Sequence, residues 1–237
     1  MGDSLGSTGP SQPVTYSGTI ERVVEVAPET RSFFVRLPAT PPFRFTPGQF
    51  ISCLLPVGGK AIIRPYSIAS NPQRPDLLEI CLNLVPNGTG SAYLFSLAVG
   101  ASLHFTGPWG TFTFDTAPRA DCVFIADGIG IVPIRPMVHR ALAVATHPVW
   151  LHHAAPSAAH LLYAKEFEAA ARAHRGFTFA PLLGSSLTET IVRRYVHQDD
   201  DRSRHFFICG VGDIVPGLRD LLRRAGYERR AVHYEKW

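Results

Sequence analysis

Two different periods run along this chain. From Val14 to about Thr116, apolar and polar residues alternate in short runs: TYSGTIERVVEVA, RSFFVRL, GQFISCLL, LLEICLNLV and SLHFTGPWGTFTF. Glycine and proline cut these runs off at close intervals. A period of two turns one face of each run inward, and frequent turns join neighbours as hairpins, so this half predicts an antiparallel β-barrel. Here only SAYLFSLAVG reads as a short helix. From about Arg119 the pattern changes. CVFIA is continuously apolar, as a buried parallel strand should be. DGIG follows it, then the helical stretch PIRPMVHRALAVA. PVWLHHA, FTFAPLL and FFICG read as further strands. The helices SAAHLLYAKEFEAAARAH, a weaker one, and IVPGLRDLLRRAG separate them, and AVHYEKW is a last short strand. Strands alternating with helices predict a parallel α/β sheet covered on both faces. FDTAPRA joins the halves. The reading is therefore a flexible tail at 1–13, a barrel domain at 14–116 and an α/β domain at 117–237.

Composition narrows the classes. The chain has 237 residues, 46% apolar and 18% charged, which is a cored globular composition and not a disordered one. No apolar run nears the roughly 20 residues of a membrane span. MGDSLGSTGPSQP lacks the apolar centre of a signal peptide. Cys53, Cys81, Cys122 and Cys209 are scattered with no CxxC, so neither a metal site nor an integral iron–sulfur cluster is expected. Thiols inside apolar strands behave as small hydrophobes, which points to a reducing compartment, the cytoplasm. The net charge of +4 suits either plain solubility or a docking face for an acidic protein. The arginines are dispersed, so no nucleic-acid partner is expected.

Two stretches carry candidate chemistry. ADGIGIVP follows the strand CVFIA. Gly128 and Gly130 open the backbone there, and Pro133 suits a first helical turn, so the loop could present N–H groups to a phosphate or could merely turn the chain. Asp127 would repel such a phosphate unless it turns away or caps the helix. In RPYSIAS, Arg64, Pro65, Tyr66 and Ser67 supply a cation, a rigid bend, a flat ring and a hydroxyl. These are tools for holding something flat and anionic, although a strand end with a surface arginine reads the same way.

The order of motifs is more specific: TPGQF, RPYS, GTGSAYL, GPWGTF, the strand and glycine loop, FFICGVGD, and HYEKW at the end. This succession resembles the ferredoxin–NADP reductase family of flavoproteins from about Thr15 to Trp237. The resemblance implies that Arg64 pairs with the flavin nucleotide's phosphates, Tyr66 stacks on the isoalloxazine, and Ser67 directs its hydroxyl to flavin N5. It implies that Gly88, Gly90 and Ser91 cradle the pyrophosphate and that Cys81, Leu82 and Asn83 run beside the flavin. Gly128, Ile129, Gly130 and Pro133 would face the nicotinamide nucleotide; the family commonly has Thr where Ile129 stands. Cys209 and Gly210 would lie near the nicotinamide. Trp237, in place of a terminal Tyr, would cover the flavin's other face, and Glu235 would relay a proton near Ser67 and Cys209. The catalytic set so implied is Ser67, Cys209, Glu235 and Trp237.

The implied function is hydride transfer from NADH or NADPH to FAD, then single electrons to a separate ferredoxin, flavodoxin or oxygenase component. FAD is preferred to FMN because GTGSAYL matches the shorter, FAD-type segment. The expected partner is a small acidic electron-transfer protein or an oxygenase component. NADH is slightly favoured. After the second strand the chain offers Ser157 without an arginine, and Ser185 stands where NADP-specific relatives often place Arg, with Arg193 and Arg194 further on. Two other readings stay open: a reductase of free flavin or ferric chelates, and a non-catalytic flavin-binding subunit.

Overall fold

The computed structural model describes residues 14–237, so the tail expected at 1–13 lies outside the described residues. Its first half is a six-stranded antiparallel sheet. The strands are β1 (Thr15–Ala27), β2 (Thr30–Arg36), β3 (Phe50–Val57), β4 (Lys60–Ser67), β5 (Leu77–Asn83) and β6 (Ser102–Trp109), in the order β4-β3-β6-β1-β2-β5. An antiparallel bridge between Ile68, just past β4, and Ile80 of β5 joins the two edges. That contact closes the sheet into the barrel the alternation predicts, and closure removes exposed edges. Ile51, Cys53 and Leu55 of β3 and Phe33 and Val35 of β2 point inward, fully buried.

β3 and β4 form a hairpin that the sequence reading passed over. Val57 pairs with Lys60, and Gly58 and Gly59 both take positive φ, 60° and 76°. Two left-handed residues make the turn whose twist matches the strands. The expected helix 91–100 is shorter and earlier: α1 spans Thr89–Ser96 and ends at Leu97, whose backbone is extended.

The second half is a five-stranded parallel sheet of β7 (Cys122–Asp127), β8 (Val149–Ala155), β9 (Phe177–Leu183), β10 (His205–Gly210) and β11 (Val232–Lys236). Their order is β11-β10-β7-β8-β9. Helices α2 (Ile131–Val144) and α3 (Ala164–Ala173) cover one face; α4 (Leu187–Val192) and α5 (Ile214–Arg224) cover the other. β7 is buried on both sides. Cys122, Phe124 and Ala126 pack with α2, whereas Val123 and Ile125 pack with α4 and α5.

The expected helix over 157–174 is a correction. A single turn occupies Ala158–His160, and α3 begins only at Ala164 because Tyr163 sits in the left-handed region at φ 57°. A helix cannot run through that conformation. The two halves share one apolar core: Cys81, Phe112 and Phe114 belong to the same buried cluster as Phe124, Met137 and Phe207. Phe114 packs 5.2 Å from Phe207 and 5.6 Å from Phe124.

Candidate functional site

The chain reverses direction across the second sheet at β7. It moves outward through β8 and β9, then returns to β10 on the other side. Such a switch point leaves a crevice at the carboxyl ends of the two strands. Here it lies between the turn Gly128–Gly130 after β7 and the segment Gly210–Asp213 after β10. Gly128 has φ 53°. At Gly130 a Cβ would stand 2.2 Å from the Cys209 carbonyl oxygen, so only glycine lets the two loops close up. A Cβ at Gly210 would stand 2.8 Å from Asp127 Cβ. No side chain caps the start of α2, which leaves its first N–H groups available to an anion.

Asp127 does not cap this turn. Burial raises its carboxyl above its ordinary value. Pro133 is buried in the first turn of α2, so it starts the helix and faces the interior.

A feature that the sequence reading missed supports the turn from below. His153, fully buried on β8, donates its Nε2 proton to the Gly128 carbonyl at 3.1 Å. Burial holds its pKa down at about 4, with the Gly128 bond working the other way. The signal was the pair HH inside an apolar strand.

Between the halves lies a cavity of about 610 Å³, within the roughly 300–1,000 Å³ range of ligand pockets. Arg64, Pro65, Tyr66 and Ser67 at the end of β4 line it, together with Cys81, Leu82 and Asn83 of β5. So do Gly88, Gly90 and Ser91 at the start of α1, and Ile129 and Trp237. Residues expected at opposite ends of the sequence therefore meet. Val85, Asn87, Thr89, Val132 and Val211 also line it and were not foreseen. Val85 and Asn87 immediately precede the GTGSAYL motif and Thr89 lies within it; Val132 and Val211 are apolar neighbours with no chemical mark.

The cavity's own geometry fits a flat, anionic cofactor. Arg64 is exposed and forms no ion pair among the described residues; it donates only to the Ile63 carbonyl, at 2.8 Å. α1 starts at Gly88 without a side-chain cap, so its leading N–H groups are open. A Cβ on Gly90 would sit 2.9 Å from Arg64 Cγ and 3.2 Å from the Tyr66 hydroxyl oxygen, which explains the glycine. The Tyr66 hydroxyl is pushed up to about 12, chiefly by burial. Ser91 also lines the cavity. Its hydroxyl accepts from Val85 N at 3.0 Å and donates to the Gly88 carbonyl at 3.1 Å. It shapes the 85–88 turn, and both of these bonds lie inside the loop. Asn83 likewise accepts from the Thr30 hydroxyl at 3.0 Å.

Trp237 is fixed by its backbone. Its N–H donates to the Gly210 carbonyl at 3.1 Å, and its carbonyl oxygen accepts from Gly212 at 3.3 Å. The indole meets the edge of Phe50 at 6.1 Å. Cys209 and Glu235 are register partners on β10 and β11. Burial raises the Cys209 thiol, and the Glu235 charge adds to the effect. Burial also lifts the Glu235 carboxyl to about 7. Its Oε2 is buried with no hydrogen-bond partner, so neither Ser67 nor any other described donor reaches that atom.

An oxidoreductase FAD-binding domain model matches residues 17–114, and an oxidoreductase NAD-binding domain model matches 124–219. The chain is 31% identical over 210 residues to ferredoxin--NADP reductase B of Sorangium cellulosum, covering 82% of this chain and 86% of that protein. It is 28% identical to the phenol 2-monooxygenase reductase component DmpP of Pseudomonas sp. strain CF600, over 94% of this chain but 65% of that protein. It also spans 63% of the glycine betaine monooxygenase reductase subunit of Pseudomonas aeruginosa. Among solved structures, the Amycolatopsis cytochrome P450 reductase GcoB superposes with TM-score 0.84 at 26% identity, over 94% of this chain and 69% of that one. A Neisseria gonorrhoeae ferredoxin NADP+ reductase with bound FAD and NADP superposes with TM-score 0.80 at 22% identity, over 94% and 98%.

Proposed function

We propose that this chain, which belongs to the ferredoxin–NADP reductase family, is an NAD(P)H-dependent flavoprotein reductase that delivers electrons to a separate protein. Its flavin is FAD and its donor is NADH or NADPH. When bound, these cofactors supply the chemistry: a hydride passes between them, and the flavin releases the two electrons one at a time.

The protein's part is to bind, orient and exclude water. Arg64 and the open start of α1 hold the flavin nucleotide's phosphates. Tyr66 gives the isoalloxazine an apolar, flat wall, and Ser67 offers a hydroxyl at its reactive edge. The turn Gly128–Gly130 receives the nicotinamide nucleotide's pyrophosphate. Cys209 and Gly210 border the place where its ring enters, and Trp237 occupies that place until it does. Glu235, raised to about 7, is poised to exchange a proton beside Cys209 near neutral pH. The division between the two binding domains falls at residues 116 and 117.

The observation that carries this reading is the cavity itself. Motifs from both halves, RPYS, GTGS, Ile129 and Trp237, line one space that no single domain encloses. NADH is the favoured donor. Ser157 bonds His160 at 2.9 Å, and the Arg194 guanidinium lies over the Trp150 ring, 4.0 Å from its centre. The Ser157 hydroxyl already has a partner and the Arg194 guanidinium rests on an aromatic face, which supports the preference for NADH. The acceptor we favour is a small acidic ferredoxin or flavodoxin or an oxygenase component, in the cytoplasm, where the four buried thiols stay reduced. Among the described residues no helix is long and apolar enough to cross a membrane.

Anaerobic titration of the FAD-loaded protein with NADH and with NADPH tests this. Full bleaching of the flavin by NADH, with a weaker response to NADPH, is expected. A flavin that stays oxidised with both would refute the reductase reading.

A further inference from the structure

A partly buried polar cluster joins α2 to the strand that lines the flavin cavity, and none of the roles above uses it. Its centre is Arg135, just past the first turn of α2. Arg135 Nη1 donates to Glu79 Oε2 at 2.6 Å and to the Ala69 carbonyl at 3.0 Å. Its Nε and Nη2 form a two-pronged pair with Glu166 of α3, both at 2.8 Å. The Glu79 side chain on β5 is only 5% exposed. Its other oxygen accepts from Ser32 of β2 at 2.9 Å and from the Tyr163 hydroxyl at 3.0 Å. The Tyr163 ring lies beneath the guanidinium, 4.3 Å from ring centre to Cζ. His139, one turn further along α2, meets Glu166 at 2.5 Å.

The cluster joins the two domains at a revealing place. Glu79 and Ser32 belong to the barrel; Arg135, His139, Tyr163 and Glu166 belong to the α/β domain. Glu79 precedes Cys81 by two residues on the strand that lines the cavity, so both side chains fall on the same face of β5. Arg135 follows the turn Gly128–Gly130 closely on a continuous helix. The cluster thus ties the nucleotide-binding end of α2 to the strand beneath the flavin.

Adhesion alone does not explain it. Desolvating charges costs as much as their pairing returns, and apolar side chains of similar volume would hold the domains together equally well. The paired apolar core already does so. What a two-pronged arginine adds is direction, because its planar fork accepts one geometry. Tyr163 adopts a left-handed backbone at φ 57° to bring its hydroxyl and ring to this point. Hydride transfer is sensitive to placement, and an error of about 1 Å can cost on the order of 100-fold in rate.

We propose that Arg135, Glu79, Glu166 and Tyr163 form an interdomain positioning latch that sets how the nicotinamide ring approaches the flavin, while touching neither. The inference rests on the reductase reading above. Two variants of the full chain test it. Arg135→Lys keeps the charge and loses the fork. Tyr163→Phe keeps the ring and removes one donor to Glu79. Each is loaded with FAD. FAD affinity is read by fluorescence titration and NAD+ affinity on the oxidised protein. The limiting rate of flavin reduction by NADH is read by anaerobic stopped flow. Both affinities should stay within about threefold of the parent, while the limiting rate falls about 30-fold in Arg135→Lys and about 5-fold in Tyr163→Phe. The long-wavelength absorbance that reports ring-on-ring contact should weaken in parallel.

Parental rates in folded, FAD-loaded variants would overturn the latch. Loss of FAD affinity beyond about tenfold with unchanged rates in the loaded fraction would overturn it too, in favour of plain structural support. If Arg135→Lys does not fold, Tyr163→Phe decides the matter. A parent that binds FAD but is reduced by neither nucleotide would end the reductase reading, and the latch with it. That result is distinguishable from a reducible parent with unaffected variants.

Discussion

Gly130 shows how much a single residue can decide here. Its backbone angle is ordinary for a helical turn, φ −58°, so the glycine is needed for space and not for conformation. A methyl there would meet backbone atoms of Cys209 and Gly210 at 2.2 to 2.7 Å, and backbone cannot swing aside as a side chain can. Gly130→Ala should weaken NAD+ binding by at least about 100-fold, or about 2.7 kcal/mol, and leave FAD binding within about twofold. Isothermal titration with each ligand checks this. Trp237 is proposed to act oppositely, by covering the cavity face that the nicotinamide would use. Deleting it should raise flavin fluorescence and tighten nicotinamide binding about tenfold, within what an aromatic contact is worth. Unchanged fluorescence and affinity in the truncation would remove Trp237 from the site. The sequence named both residues. It could not say which atoms a glycine clears or where the last indole rests.

At the scale of elements, β8 carries an unusual load. His152 and His153 are buried side by side. His152 bonds the Tyr195 hydroxyl at 2.8 Å, and burial lowers both rings to about 4, with the Arg194 charge assisting at His152. Near pH 5 the unfolded chain binds protons on these rings and the folded chain does not. The histidines' share of stability should therefore be full above about pH 6.5 and fall as pH drops toward 4, by up to on the order of 3 kcal/mol per histidine, opposed in part by Glu235, whose raised carboxyl favours the folded state below about pH 7. Urea midpoints across that range check it, and His153→Gln should flatten part of the slope. A parent with no loss between pH 6.5 and 4.5 would contradict it. Period and punctuation predicted these strands well, because a buried parallel strand must be apolar throughout. They misplaced the helix after β8, because the chain breaks at Tyr163, whose backbone is left-handed and whose hydroxyl bonds the distant Glu79. No local signal marks such a partner.

The whole molecule works as one body. Phe112 and Phe114 carry the barrel's end into the core of the second domain, so the two halves should unfold together in a single calorimetric transition. The chain is modestly basic, with net charge +4, and the cavity mouth exposes Val85, Val211 and Trp237. Electron delivery to an acidic partner should therefore slow several-fold between low and about 0.5 M salt, as screening shortens the range of attraction. Flavin reduction by NADH should not. Stopped-flow rates for both steps across a salt series would show the difference, and an acceptor step indifferent to salt would argue against acidic docking.

The amino-acid order alone determined the two-part architecture, the strands of each sheet and most of the cavity's chemical groups. Period, turn residues and short motifs are local properties, and local properties survive in a linear string. Only the tertiary structure decided that Ser91 shapes its own loop, that His153 props the glycine turn, and that Arg135 binds Glu79 across the domains. Each of these is a hydrogen bond whose partner is chosen by distance in space, and the chain's path through the fold sets that distance.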